Sequence, residues 1–466
     1  MRLKRELEPR TQCRYRQNVS QHKESRLRKV ASFIGRQLRT HADSLFSIAI
    51  RITGIGFGFL ITLFIGRMLG AEAIGQYGII TQTGLFLSLL CVGGLDLSIV
   101  RSFSEAQAAR KTPSLQSFAK LSVIVALVMI GAIIILIAFE QLILSTLLDG
   151  TAAPNSVSFI IIILIARGST RLTSAFLRSQ RDYIVSQIIE TSFIPLVVIL
   201  LIIFGVVETL EQILFATAAA GVVAGLAGVV RSLKRTSNAG DAFRVPLRPL
   251  IIRAVPLWGV SVSKNLSDWY SLAVAAAVLS LFDAGIFRVC MQIASALPLI
   301  TVGIFAVYAP KFGTAHSQSD YARVASLAKT ASILGIALGV PAGFLGILFA
   351  EPLLRLFGPE FSGNPLVLQI LVVGQVLYVC TGPSGLVLAM TGNEKINLLF
   401  TIISLCALIV SLPLAAETFG IEGLVGAMST ILILRNIASY IAVRKLVGIS
   451  ILAGRYTSVA NSPSLP

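Results

Sequence analysis

The chain has 466 residues, 55% of them hydrophobic and 13% charged, with a mean hydropathy of +0.83. Soluble domains carry about 25% charged residues; here the apolar residues gather in long runs with the charges between them, which excludes a soluble enzyme and a disordered scaffold. A net charge of +17 would suit nucleic acid, but its distribution assigns it to membrane topology.

Residues 1–43 hold twelve Lys and Arg against four Asp and Glu. They are expected to form a disordered basic arm on the cytoplasmic side. The first apolar run begins near Leu45 and is too long for the core of a cleaved signal peptide, so it is expected to be a retained span. Twelve runs reach the length of about 20 mainly apolar residues that a spanning helix needs. They are 44–66, 77–99, 119–138, 157–177, 184–206, 212–230, 254–281, 285–309, 327–350, 365–389, 396–415 and 423–443. The expected fold is therefore an all-α membrane protein.

With the N-terminus cytoplasmic, the outer loops hold ten acids (Glu72, Glu140, Asp149, Glu208, Glu211, Asp283, Glu351, Glu360, Glu417 and Glu422) against Arg67 and Arg355 alone. The inner loops hold most of the remaining Lys and Arg, as the positive-inside rule requires. Both termini come out cytoplasmic, and one missed span would destroy this bias. The basic stretch 231–250 after the sixth run predicts a linker between a six-helix bundle at 44–230 and a second at 251–446, with a cytoplasmic tail at 447–466.

The two bundles resemble each other. LFIGRMLGAEAIGQYGI (63–79) matches LSLFDAGIFRVC (279–290), and SAFLRSQRDYI (174–184) parallels VLAMTGNEKIN (387–397), both at an offset of about 210. Six spans is an even number, so the repeats are parallel, an arrangement that places a transporter's substrate site between the halves near the midplane.

The five cysteines (Cys13, Cys91, Cys290, Cys380, Cys406) are scattered, with no CxxC or Cys/His spacing. Neither a metal site nor a disulfide framework is expected. No Walker motif and no GxGxxG after a strand occurs, so no ATP hydrolysis, no cofactor and no enzymatic activity are expected. Gly221 and Gly225 form a GxxxG that permits close helix approach.

Charges inside spans are costly and mark functional sites by default. Arg51 lies seven residues into the first run, about 10 Å deep, and Lys264 lies about 15 Å deep in the seventh. Arg167 is near the middle of the fourth, and Arg167, Arg171 and Arg178 fall within about 40° on a helical wheel, a basic stripe toward the cytoplasmic face. Glu190 and Asp268 are the deepest acids; Asp96 and Arg101 mark the inner end of the second run. Bland readings stand beside these. Arg171 and Arg178 can snorkel to headgroups, Lys264 and Asp268 are i,i+4 neighbours able to neutralise each other, and Glu190 is placed to do so for Arg167 or Arg171. Arg288 and Arg435 fall too near the membrane surfaces to be informative. The basic excess suits an anion, since Arg pairs bidentately with phosphate oxygens.

The stretch ITLFIGRMLGAEAIGQYGI…LLCVGGLDLSIVRSFSEA resembles the start of polysaccharide-biosynthesis flippases of the O-antigen type, the oligosaccharidyl-lipid branch of the multidrug/oligosaccharidyl-lipid/polysaccharide (MOP) superfamily. So do LFDAGIFRVCMQIASALPLITVGIFAVYAPKF, EPLLRLFGPEFSGNPLVLQIL, LAMTGNEKINLLF and FGIEGLVGAMST, and together the likeness covers about residues 44–448. The resemblance implies twelve helices in two parallel six-helix repeats. It also implies a flippase of the bacterial cytoplasmic membrane that moves an undecaprenyl-diphosphate-linked oligosaccharide by alternating access. On that reading Arg51, Arg167, Arg171 and Lys264 would hold the diphosphate, and Glu190, Asp268, Asp96 and Arg101 would couple an ion or pair charge. Membrane lipids, a polysaccharide polymerase and chain-length machinery would be partners. A multidrug exporter of the same superfamily and a lipid II flippase are the alternatives; the basic interior speaks against the first.

Overall fold

In the computed structural model the described residues are 8–108, 114–148, 155–236 and 247–457. Residues 1–7 of the expected arm, 237–246 of the expected linker and 458–466 of the expected tail lie outside them. Taken as continuous rods, eight helices among the described residues, or nine with one bent pair, are long and apolar enough to cross a membrane. Two of these rods, Ala49–Val92 and Glu394–Val447, have 44 and 54 residues. At 1.5 Å per residue each is more than twice the bilayer core of about 30 Å. Both break at a glycine in backbone that other residues rarely adopt, Gly70 (φ 85°) and Gly420 (φ 63°), and each is two crossings. Only glycine reaches such angles without a Cβ penalty.

The crossings are α1 (8–69), α2 (71–108, interrupted at Gly93 and Gly94), α3 (Leu115–Ala138), α4 (Ser156–Ser179), α5 (Tyr183–Ile203) and α6 (Leu210–Leu233). The second half follows as α7 (247–279), α8 (281–317), α9 (Tyr321–Leu348), α10 (Pro365–Cys380 with Ser384–Met390), α11 (394–419) and α12 (421–447). Among the described residues the fold is all-α with twelve crossings. α7 is the one that the hydropathy of a rod passes over, because it carries Arg248, Arg253, Lys264 and Asp268. The expected disordered arm differs: α1 is helical from Glu8, its Arg, Lys, Leu and Gln being good helix formers that extend the first crossing.

The repeat is visible as a contact. α2 and α8 cross where Gly75 meets Gly285: a Cβ on Gly75 would strike the Leu281 carbonyl and the Gly285 nitrogen. A Cβ on Gly285 would strike the Ala71 carbonyl and the Gly75 nitrogen. Three residues further on, Arg288 reaches the Gly78 carbonyl at 3.4 Å across a sequence separation of 210. Equivalent residues of the two halves thus touch each other about one axis.

α7 completes the joint between halves. Ser98 donates to the Leu250 carbonyl at 2.8 Å, Trp258 lies against Gly94, and Trp269 donates to Thr83 at 2.9 Å while stacking on Phe86 at 5.1 Å. At the face opposite the termini, the α1–α2 turn is held by the α9–α10 connection. Arg67 donates Nε to the Leu356 carbonyl at 2.7 Å, and the Ala71 amide donates to Glu360 Oε2 at 2.9 Å. Phe357, fully buried, packs edge-on to Phe59 at 5.1 Å. On the terminal face, the expected tail begins with a hairpin, β1 (Ile449–Ser450) against β2 (Arg455–Tyr456), whose Tyr456 stacks on Tyr321 of α9.

Candidate functional site

The first half gathers its buried and half-buried charges into a ladder on α2, α4 and α5. Asp96 sits in the first turn after the Gly93–Gly94 interruption, where a helix N-terminus favours a carboxylate. One of its oxygens accepts from the Leu97 amide at 3.0 Å and the other from Arg171 Nε at 3.3 Å. In α5 a π-helical turn, Ile188–Ser192, carries Glu190; such turns often occur at functional sites. The Glu190 carbonyl accepts from Arg167 Nη1 at 3.2 Å, and its carboxylate takes Arg178 Nη1 at 2.6 Å. The expected pairing of the Glu190 carboxylate with Arg167 or Arg171 is therefore not the one formed. The side chain reaches one helical stretch further along α4, and Arg178 is anchored to it rather than to headgroups. Arg171 is likewise tied, to Asp96.

Arg51 joins this group through its helix. Ser192, in the same π turn, donates to the Ile50 carbonyl at 2.7 Å, and Gly54 lies against the Thr191 carbonyl. Arg51 itself is exposed and makes no hydrogen bond or ion pair among the described residues. Arg101 is exposed toward the terminal end of α2.

The second half is arranged otherwise. Lys264 and Asp268 stand one turn apart on α7, both exposed, with no ion pair between them or to any other described residue. The expected neutralisation takes no close ion pair, though Lys264 is within electrostatic reach of Asp268; a base N-terminal to an acid makes the weaker i,i+4 pair. No hydrogen bond or ion pair joins this couple to the ladder among the described residues.

Two arginines set aside in the sequence belong with the interior charges. α8 starts at Leu281 behind its N-cap Ser280, so Arg288 is seven residues in, about 10 Å deep. Its Nε is enclosed without a hydrogen-bond partner, and its stem covers Gly78. Tyr77, whose hydroxyl lies 3.4 Å from Thr217 Oγ1, is within electrostatic reach of both Arg288 and Arg167. α12 continues through a π turn to Val447, which leaves Arg435 about 18 Å from that end. Its Nε is also enclosed without a partner, and Tyr378 faces it. The signal available for both was the helix boundary, a few residues further out than the apolar run suggests.

The interior charges are then Arg51, Arg167, Arg171, Arg178, Lys264, Arg288 and Arg435 against Asp96, Glu190 and Asp268. Among the described residues no group of three or more His, Cys, Asp or Glu is placed to hold a metal ion.

A family model described as polysaccharide biosynthesis protein matches residues 41–316. No curated protein sequence matches the chain. Among solved structures, an inward-facing multidrug resistance MATE family transporter of the MOP superfamily aligns with a TM-score of 0.69, over 89% of this chain and 99% of that chain, at 14% identity. The lipid II flippase MurJ, in an inward closed conformation, aligns at 0.64 over 86% and 87%, at 13% identity. A MOP superfamily transporter from Pyrococcus furiosus, described as having a binding pocket of reverse polarity, aligns at 0.56 over 89% and 94%, at 16% identity. At these identities the likeness is one of fold.

Proposed function

We propose that this chain, which belongs to the polysaccharide biosynthesis protein family, is a flippase. It would carry an undecaprenyl-diphosphate-linked oligosaccharide across the bacterial cytoplasmic membrane by alternating access, for assembly of a surface polysaccharide. The observation that carries the reading is the excess of cations in the membrane interior, seven bases against three acids. At the centre of a helix such a charge costs about 2.5–3.5 kcal/mol to insert, and an anionic headgroup is the ligand that offsets this.

The residues divide the work. Arg51 has no partner among the described residues and Arg167 has only a carbonyl, so both are open to phosphate oxygens. Arg171 and Arg178 are held by Asp96 and Glu190 and support the site from behind. Lys264 and Arg288 face it from the second half, so that the diphosphate is held by both halves. The isoprenoid tail stays in the bilayer. With the termini cytoplasmic, the contacts of Arg67 with Leu356 and of Ala71 with Glu360 close the outer end. They separate when the site opens outward. Asp268, which is exposed and in no close ion pair, is the group open to a proton or cation. Outward movement of negative charge against an inside-negative potential is itself favourable by about 2.3 kcal/mol per charge per 100 mV, so the membrane potential alone can drive the step. A polymerase and chain-length machinery would take the product.

The test is export in cells lacking the gene. Wild-type protein restores surface polysaccharide, whereas Arg51→Ala/Arg167→Ala at equal membrane level leaves the lipid-linked oligosaccharide on the inner leaflet. Intact export by the double variant would sink the reading. Normal polysaccharide in the deletion strain, with raised drug susceptibility, would favour a multidrug exporter.

A further inference from the structure

α6 is unlike the other helices of its half in having two differently used small-residue faces. One packs on α4: Gly221 lies against Ala166, Gly225 against Ser169 and Gly228 against Thr173. The other carries Ala216, Ala219, Ala220 and Val223 and, with α5 from Phe193 to Leu201 and Val206 and Val207 of the following connection, forms a groove of about 710 Å³ floored by Phe159 of α4. That volume lies within the range of about 300–1,000 Å³ found for small-ligand sites. From Thr209 to Val223 the groove runs about 20 Å along the helix, two thirds of the hydrocarbon thickness.

Below its mouth the groove is lined by hydrocarbon alone, and its rim is open: Phe215 is 65% exposed. An apolar hollow of this kind does not hold water, and in a bilayer the available occupant is an alkyl chain. The mouth differs in kind. Thr209 and Gln212 form a capping box that satisfies the first amides of α6, with Gln212 also accepting from the Glu208 amide at 2.8 Å. The Glu211 carboxylate, which lines the mouth, and that of Glu208 beside it are therefore not used in capping. Neither has a hydrogen bond or ion pair among the described residues. The cations of this face, Arg67 and Arg355, are engaged on the α9–α10 connection by Leu356 and Glu351.

We propose that this groove is a phospholipid site, taking one acyl chain along α5 and α6 with a primary ammonium headgroup on Glu211 and Glu208. An anionic headgroup would be repelled by two unpaired carboxylates. A quaternary ammonium offers charge but no N–H, whereas a primary ammonium donates up to three charge-assisted hydrogen bonds. The site takes a phosphatidylethanolamine-type lipid in the leaflet opposite the termini, away from the interior charges.

The experiment uses the full chain in mild detergent with equal amounts of synthetic phosphatidylethanolamine, phosphatidylcholine and phosphatidylglycerol, read by native mass spectrometry. A phosphatidylethanolamine carrying an acyl-chain diazirine is used in parallel to map the contact. The wild type retains one phosphatidylethanolamine per chain, preferred roughly tenfold over the others, the size of one charge-assisted hydrogen bond. The diazirine labels the α5 and α6 segments of the groove. Ala219→Trp, at a half-exposed position, fills the groove and removes the retained lipid. Glu208→Gln/Glu211→Gln keeps the lipid but levels the preference, which holds the test open if the filled variant does not fold. Equal retention of all three lipids by the wild type, labelling elsewhere, unchanged retention in folded Ala219→Trp, or an unchanged preference in Glu208→Gln/Glu211→Gln overturns the proposal.

Discussion

The two halves hold their buried charges in opposite ways. In the first, Arg171 and Arg178 are tied to Asp96 and Glu190 on neighbouring helices, and even Arg167 has a carbonyl. In the second, Lys264 and Asp268 form no close ion pair, Arg288 has the Gly78 carbonyl alone, and the enclosed Nε atoms of Arg288 and Arg435 have no partner. Yet the halves share a fold and meet through equivalent residues, Gly75 on Gly285. The backbone of a duplicated transporter is thus kept symmetric while its charge chemistry diverges. One half ties Arg171 and Arg178 to acids of neighbouring helices, and the other leaves its charges without a close ion pair.

That contrast can be broken from its symmetric part outward. Gly75→Leu and Gly285→Leu each drive a side chain into the partner's backbone, and each is expected to destabilise by about 4 kcal/mol or more. The two should be equal in effect, read as loss of folded protein and of thermal stability in detergent. Asp96→Asn strands Arg171 and is expected to cost about 3 kcal/mol, with part recovered by adding Arg171→Gln. Glu190→Gln removes a pair that is about a quarter exposed on both sides and should cost about 1 kcal/mol. Trp269→Phe keeps the stack on Phe86 but loses the bond to Thr83, again about 1 kcal/mol. Asp268→Asn, which breaks nothing, should fall within about 0.5 kcal/mol of wild type. A large loss there would erase the distinction between the halves.

Much of this was legible in the sequence, and for reasons that can be stated. Spans are long, so hydropathy found all twelve, and the likeness of 63–79 to 279–290 marked the two stretches that meet at the centre. The stripe Arg167, Arg171 and Arg178 followed from helical spacing alone. What was hidden depended on local departures from a regular helix. The N-cap at Ser280 starts α8 four residues before the expected 285 and carries Arg288 from the surface to a depth of about 10 Å. The π turn at Val443–Val447 does the same for Arg435. The π turn at Ile188–Ser192 re-aims Glu190 from Arg167 to Arg178. The groove between α5 and α6 has no signature either, since a run of alanines reads equally as packing or as a hollow.

The most direct test of a cationic interior that carries an anionic headgroup is translocation in proteoliposomes. Undecaprenyl-diphosphate-linked oligosaccharide is offered to wild-type protein and to folded Arg51→Ala/Arg167→Ala under an imposed potential. The wild type is expected to move the lipid, and the double variant to be slowed by about 100-fold, as for loss of two charge-assisted hydrogen bonds. Equal rates for the two would contradict the assignment of the diphosphate to this site.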